Sequence, residues 1–158
     1  MNMMTNLRQK EPTTGLLAEY EKNHADLLNA MAVMASAADA PVADRHLYSN
    51  ARWRLSQASL KRRMLWGRIY RHLAPRVGPH DAAALDRIQA TDVALQQQSA
   101  AHVGKWTTDA IEADWAGYCD ASRTIRWKMN AHMDAERRVV YPLLAAEALG
   151  EKRQLRAS

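Results

Sequence analysis

The chain has no phenylalanine, a single cysteine, and only six glycines and five prolines among its 158 residues. Glycine and proline interrupt helices, whereas the plentiful Ala, Leu, Met, Gln, Arg and Lys favour them on intrinsic propensity. Cys119 has no second cysteine with which to form an intramolecular disulfide, so we expect a small buried residue at that position. The composition predicts an all-α protein with one domain.

Long apolar runs are also missing, since no stretch approaches the roughly 18 apolar residues that a membrane span needs. The N-terminal segment contains Arg8, Lys10 and Glu11 and no apolar run of the length that a signal peptide requires. We therefore expect a soluble, cytoplasmic protein with no membrane partner. We also expect disorder in a tail at residues 1–13 and in a basic tail at residues 150–158.

Apolar residues recur at spacings of three and four along four segments of the chain. They predict helices at about 14–38, 46–73 and 80–104, and a fourth that runs from about residue 108 to Gly150. Short loops between amphipathic helices are typical of an up-down-up-down antiparallel four-helix bundle, with helices about 20° from antiparallel. The predicted bundle covers residues 14–149.

Polar side chains interrupt each apolar stripe near its middle, although burying an unpaired polar group costs several kcal/mol. The interrupting residues are His24, Arg62 or its neighbour Arg63, Asp92, and His132 with Glu136. Mid-helix positions of aligned antiparallel helices come to one level, so we expect these residues to meet in one buried polar layer. The i, i+4 spacing of His132 and Glu136 would place an imidazole and a carboxylate within reach of one cation.

The run HMDAERRVVYPLL, from His132 to Leu144, resembles the last-helix motif of hemerythrin-like (HHE cation-binding) domains. In that motif HxxxE is followed by an aromatic residue, a proline and a leucine. His24 stands where the family has its first-helix histidine. The resemblance implies a four-helix fold with a non-haem di-iron site that binds oxygen, or that senses oxygen, nitric oxide or redox state.

The chain departs from the family pattern on its second and third helices. The family's second helix carries another HxxxE, but here Ala58 or Ser59 is followed by Arg62 or Arg63. On the third helix Asp92 stands where the family has a histidine. Two ligands are therefore missing, and an arginine reverses the charge at one of those positions.

We predict a degenerate, metal-free centre, because a guanidinium can take over the electrostatic role of a cation. It would bond to the carboxylates of Glu136 and Asp92, and histidines would complete the hydrogen bonds. The favoured interpretation has no cofactor. The alternative is one iron, manganese or zinc ion, held by two imidazoles and two carboxylates at His24, Asp92, His132 and Glu136.

Positive charge is concentrated between residues 45 and 76, where nine basic residues occur without an Asp or Glu. Five of them form a candidate basic surface on the second helix: Arg52, Arg54, Lys61, Arg68 and Arg71. Such a surface could bind an acidic protein partner or, less favourably, nucleic acid phosphates. The competing interpretation is a solvated face offset by acids on neighbouring helices.

We expect a binding or sensing module and no enzyme, because Ser-His-Asp, P-loop and zinc motifs are missing from the sequence. Its ligand chemistry would concern oxygen, nitric oxide, redox state or a metal. The alternative is a metal-free interaction protein that uses the basic second helix. Trp66, Trp115 and Trp127 exceed what one core easily hides, so we also expect either a homodimer or another protein partner.

Overall fold

A computed structural model describes residues 12–158 of the chain as five helices and, within these residues, no β-strand. The helices are α1 (Thr13–Ala38), α2 (Arg45–Leu73), α3 (Pro79–Lys105), α4 (Thr108–Ala113) and α5 (Trp115–Arg156). The all-α prediction is confirmed. All four predicted boundaries of the first two helices differ from the structure by no more than one residue, within the usual fraying of helix ends.

Side chains cap the helices at the points where polar residues precede an apolar stripe. The Asp44 carboxylate accepts hydrogen bonds from the backbone N–H groups of His46, at 3.1 Å, and Leu47, at 3.2 Å. The Thr107 hydroxyl accepts one from Ala110 at 3.2 Å. These bonds satisfy N–H groups that have no partner in the first turn of a helix.

The fourth predicted helix is two helices, which corrects the sequence-based interpretation. The backbone leaves the helical region at Asp114, with φ −145° and ψ 74°. The Asp114 carboxylate then caps α5 by accepting a hydrogen bond from the Gly117 N–H at 2.9 Å. Apolar spacing continues through this break, so periodicity alone does not reveal it.

The ends of the helical region also differ from the predicted boundaries. Helix α5 continues through Gly150 to Arg156, so most of the segment predicted as a basic tail is helical. Helix α1 begins at Thr13, which is fully buried. The remainder of the predicted N-terminal tail, residues 1–11, lies outside the described residues.

Four groups of buried side chains lie between the helices. The largest joins Leu16 at the start of α1, Leu73 at the end of α2, Leu85 near the start of α3 and Leu144 in the later part of α5. A second group joins the middles of α1, α2 and α5, with the partly buried Leu95 of α3 against it. Because helices from the whole chain share these groups, the fold is bundle-like.

Spacing between the helices is uneven. Helix α1 packs closely against α2 and α5, and α3 packs against α5. Helices α2 and α3 are tied together at one end, where Trp66 Nε1 donates to Gln89 and the Tyr70 hydroxyl donates to Asp86 at 2.5 Å. Away from these bonds the two helices separate, and a cleft opens between them.

Two further sequence-based expectations concern burial and hydropathy. Cys119 is buried, as predicted, and its Sγ lies 3.4 Å from the Ala38 carbonyl oxygen. Burial raises the pKa of this thiol, which keeps it protonated. None of the helices within residues 12–158 combines the length and the apolar character needed to cross a membrane.

Candidate functional site

A buried polar layer lies where α2, α3 and α5 approach one another. Its centre is an ion pair between the Arg62 guanidinium of α2 and the Glu136 carboxylate of α5. The side chains of both residues are less than a tenth exposed. Since an unpaired charge at this depth would be very costly, the pair determines the electrostatics of the layer.

His132 and Asp92 extend the layer toward α3. His132 Nε2 lies 3.3 Å from Asp92 Oδ1 and 3.8 Å from Glu136 Oε2. Neither imidazole nitrogen makes a hydrogen bond within the described residues, although the ring is buried. Gln96 Nε2 donates to Asp92 Oδ2 at 2.8 Å, which holds that carboxylate from its own helix.

Tyr20 of α1 closes the layer on the side opposite Asp92. The Arg62 guanidinium carbon lies 5.9 Å from the centre of the Tyr20 ring, within the range of a cation–π contact. Burial and the negative charge of Glu136 raise the pKa of the Tyr20 hydroxyl well above its usual value, while Arg62 acts in the opposite direction. The phenol is therefore neutral at any physiological pH.

The two arginines that the sequence could not distinguish have different surroundings. Arg62 is buried and paired with Glu136. Arg63 is exposed and borders the cleft, without an ion-pair partner among the described residues. The helical stripe explains the difference, because adjacent residues are 100° apart around the axis.

His24 lies beside the layer, and no hydrogen bond or ion pair in the described part of the chain joins it to Asp92, His132 or Glu136. It is half-buried, and Asn23 takes the fully buried position on this turn of α1. The Asn23 amide donates to the Ala58 carbonyl oxygen at 3.4 Å. Burial lowers the pKa of His24, and the positive charges of Arg137 and Arg62 lower it further.

The donor set does not fit a metal ion in this arrangement. Within residues 12–158 no group of three or more His, Cys, Asp or Glu side chains is placed to hold one. Glu136, which would be a ligand, is paired with a guanidinium instead. A metal at this point would lie next to Arg62, whose charge would repel it.

Solvent reaches the polar layer through a cleft of about 670 Å³ between α2 and α3. Arg62, Asp92 and His132 line its inner end. The predicted inward-facing residues that are only half-buried line it as well: Leu55, Leu95, Ser99, His102 and Ile125. Sequence periodicity identifies these residues as core, and the spacing of the two helices leaves them accessible.

The residues of the candidate basic surface have mixed environments. Arg68 pairs with Glu19 of α1 at 2.7 Å, and Arg52 lies 5.9 Å from the centre of the Tyr118 ring. Three others are exposed and have no ion-pair partner among the described residues: Arg54, Lys61 and Arg71. The surface is thus partly offset by a neighbouring helix and partly available.

The three tryptophans that suggested an exposed seam also differ. Trp66 is buried and Trp115 is half-buried, where its Nε1 donates to the Ala40 carbonyl oxygen at 2.8 Å. Trp127 is 70% exposed. Only one of the three is therefore available for a partner surface in the described chain.

Sequence reasoning missed Tyr20, Asn23 and Gln96 as members of the layer. Tyr20 was placed on the correct stripe but was taken for an apolar core residue. Asn23 and Gln96 are one residue away from the stripe positions His24 and Leu95, a difference smaller than a periodicity argument resolves. Comparison of the chain with protein-family models, curated proteins and solved structures finds no match.

Proposed function

We propose that the chain is a hemerythrin-like four-helix domain in which an arginine has replaced the metal, and that it acts as a binding or sensing module and not as an enzyme. The observation that carries the proposal is the buried ion pair between Arg62 and Glu136. Glu136 is the carboxylate of the HxxxE motif, and Arg62 stands where the family's second helix has a ligand. The guanidinium takes the position of the cation that Glu136 would otherwise bind.

The proposal includes an up-down-up-down antiparallel arrangement of the four long helices. Its support is the composition of the largest buried group, where the start of α1 meets the end of α2, the start of α3 and the later part of α5. The other end of α2 meets the start of α5 in a separate group, through Tyr48 and Tyr118. Alternation of helix direction accounts for both groupings.

A metal-free centre follows from charge. A guanidinium about 5 Å from a divalent cation would repel it by several kcal/mol at an effective dielectric constant of about 20. One iron, manganese or zinc ion at His24, Asp92, His132 and Glu136 would require Arg62 to leave the layer. Such a movement would expose the apolar stripe that Arg62 shares with Leu65 and Ile69.

The binding role is supported by the cleft, which leads from solvent to the polar layer. His132 lies at its inner end with both ring nitrogens free of hydrogen bonds. Ligand pockets commonly have volumes of about 300–1,000 Å³ and a few polar groups on mostly apolar walls. The apolar walls of the cleft and polar side chains such as His132 would together recognise the ligand.

The second candidate is an interaction protein, and a specific observation favours it. Exposed Arg54 and Lys61 lie on the outer face of α2 near Trp53, which is 64% exposed. Tryptophan and arginine are enriched at protein interfaces, and the positive charge of this face favours an acidic partner. Binding through these charges would weaken steeply with added salt, and salt-insensitive binding would exclude this candidate.

Elemental analysis of protein expressed with added iron, manganese and zinc tests the proposal, together with a visible absorption spectrum. We expect no stoichiometric metal in the natural chain. The variant Ala58→His/Arg62→Glu/Asp92→His restores the family's ligand types and should acquire iron. The matched control Ser59→His/Arg63→Glu/Asp92→His places the second-helix pair one residue further along, where Arg63 is exposed.

Stoichiometric iron in the natural chain would contradict the metal-free proposal. Failure of the restored variant to bind iron, when circular dichroism shows that it is folded, would contradict the hemerythrin-like assignment. Equal iron content in the restored variant and its control would do the same, because the control pair does not face the layer.

A further inference from the structure

The cleft between α2 and α3 is elongated along the bundle. It follows α5 from His132 to Tyr118, a distance of about 21 Å at the helical rise per residue. The residues of the Trp66–Gln89 and Tyr70–Asp86 bonds, which tie α2 to α3, are not among those that line it. A long, narrow ligand therefore fits its shape better than a compact one.

The middle of the cleft is apolar. Six side chains from all four long helices form its walls: Leu27, Leu55, Leu95, Ile125, Met129 and Met133. Methionine adapts its shape to a flexible apolar ligand because its side chain is unbranched and polarisable. These walls suit a hydrocarbon chain, because transfer of apolar surface from water to an apolar environment is favourable.

The outer end of the cleft is positively charged. Arg52 lines it and is half-buried above the Tyr118 ring. The His102 ring stacks against the same Tyr118 ring, with 5.9 Å between the ring centres. The pKa of His102 is lowered by burial and by the positive charges of Arg52 and Lys105, so its imidazole is neutral and offers an N–H donor.

Carboxylates that could neutralise Arg52 are missing from the cleft. Among the described residues that line it, Asp92 is the single acid. It lies at the inner end, where Gln96 and His132 are its neighbours. Arg52 itself has no ion-pair partner within residues 12–158. The outer end therefore offers an unneutralised guanidinium at the mouth of an apolar channel.

We infer that the cleft binds an aliphatic carboxylate of medium chain length, a free fatty acid. Its carboxylate would pair with Arg52 and accept a hydrogen bond from Ser122 or His102, and its hydrocarbon chain would lie along Leu55, Leu95 and Ile125. The opposite orientation would bring the anionic head to the inner end, where Asp92 repels it and Arg62 is already paired with Glu136. Arg63 also borders the cleft, but it is exposed to solvent, which weakens an ion pair with it. This inference rests on the proposed binding role, since it names the ligand class of that module.

Titration of the full chain with dodecanoate, below its micelle-forming concentration, tests the inference. Fluorescence of Trp53, which lines the cleft, and isothermal calorimetry report the binding. We expect saturation at one dodecanoate per chain. Arg52→Gln should weaken binding about tenfold or more, because a charge-assisted hydrogen bond is lost, while Arg52→Lys should retain most of the affinity.

Two matched changes locate the ligand. Arg54→Gln removes a charge from the same helix outside this cleft and should leave the affinity for dodecanoate unchanged. Ser99→Trp fills the channel and should abolish binding, while circular dichroism verifies that the helices remain. An equal loss of affinity for dodecanoate in Arg52→Gln and Arg54→Gln would overturn the inference. The ligand would then respond to the net positive charge of the surface and not to a contact with Arg52.

Two other results would also overturn it. One is absence of dodecanoate binding, and the other is equal affinity for dodecanoate and dodecyltrimethylammonium, which would remove the role of the anionic head. Metal content of the same preparation separates this failure from that of the proposed function. A metal-free chain that does not bind dodecanoate would overturn the ligand inference alone. A chain that contains stoichiometric iron would contradict the metal-free centre, whether or not it binds dodecanoate.

Discussion

The Arg62 guanidinium carries a positive charge into the core, but its bonding geometry differs from that of a metal ion. A guanidinium binds carboxylates through directed N–H groups, whereas a cation accepts donors from several directions. Arg62 therefore satisfies Glu136 and leaves His132 without a hydrogen bond. Removal of one partner would be strongly destabilising, because the other charge would remain buried and unpaired in the core.

Arg62→Met is expected to destabilise the chain by about 3–5 kcal/mol, because Glu136 becomes a buried, unpaired carboxylate. Arg63→Met removes the same functional group one residue later, at an exposed position, and should change stability by less than about 0.5 kcal/mol. Urea denaturation followed by circular dichroism measures both. The double variant Arg62→Met/Glu136→Met should recover most of the loss, and a double variant as unstable as Arg62→Met would contradict the pairing.

The half-buried histidines make stability depend on pH. The pKa of His24 and that of His102 are both lowered from 6.5 by burial and by nearby arginines or lysine. Because the unfolded chain binds these protons more readily, the neutral rings stabilise the fold fully above pH 6.5, and this contribution is lost as the pH falls through the lowered values. We expect a lower urea midpoint at about pH 5.5 than at about pH 7.5.

His102→Gln and His24→Gln should each reduce that difference in urea midpoint. His46→Gln is the matched control, because His46 is exposed at the start of α2. A pH difference that is unchanged in the double variant His24→Gln/His102→Gln would show that other groups cause it.

At the scale of the elements, breaks and caps determine where helices begin. Asp114 interrupts an apolar repeat that would otherwise run from α4 into α5, and it caps α5. The Asp114 carboxylate lies over Gly117, in the space that a Cβ would occupy. A glycine at this position therefore allows the carboxylate to approach the N–H group that it caps.

Asp114→Ala should destabilise the chain by about 1 kcal/mol, the usual value of an N-cap side chain. Asp120→Ala removes a carboxylate from the exposed face of the same helix and is the matched control. Thermal denaturation compares the two variants. Equal melting temperatures would mean that the break at Asp114 is maintained by packing alone.

The phase of the helices and most of their boundaries follow from periodicity, because an apolar stripe indicates which face of a helix is buried. Periodicity does not report how far apart two buried faces lie. Leu95 and Ile125 follow the apolar periodicity of their helices, yet both are only half-buried and line the cleft between α2 and α3. Periodicity also does not identify which side chains are hydrogen-bonded to one another in the polar layer. Gln96, for example, donates to Asp92 although it lies one residue away from the apolar stripe.

At the scale of the whole molecule, one group of polar contacts joins the ends of three helices. The backbone N–H and hydroxyl of Thr13, at the start of α1, both donate to the Glu151 carboxylate of α5, at 3.0 Å and 2.5 Å. The Thr13 hydroxyl also lies 2.7 Å from His72 Nε2 of α2. Since Pro12 offers no capping side chain, Glu151 caps α1 from another helix.

Glu151→Ala should cost about 1–3 kcal/mol, because Thr13 is buried and loses a charged acceptor. Faster hydrogen exchange in the first turn of α1 is the local signature. Glu147→Ala changes a carboxylate one turn earlier on the same helix and is the matched control. Unchanged exchange in α1 would show that the Glu151 contact does not hold this end together.

The ion pair between Arg62 and Glu136 also fixes the alignment of α2 and α5 along their length. A slip of one turn would bring Arg62 opposite His132 or Val140, and neither can balance a guanidinium. Leucine and methionine layers tolerate such slips at modest cost, because their side chains repack. A buried guanidinium does not tolerate them, because only Glu136 is placed to balance its charge. The Arg62–Glu136 pair therefore disfavours a one-turn slip between these two helices.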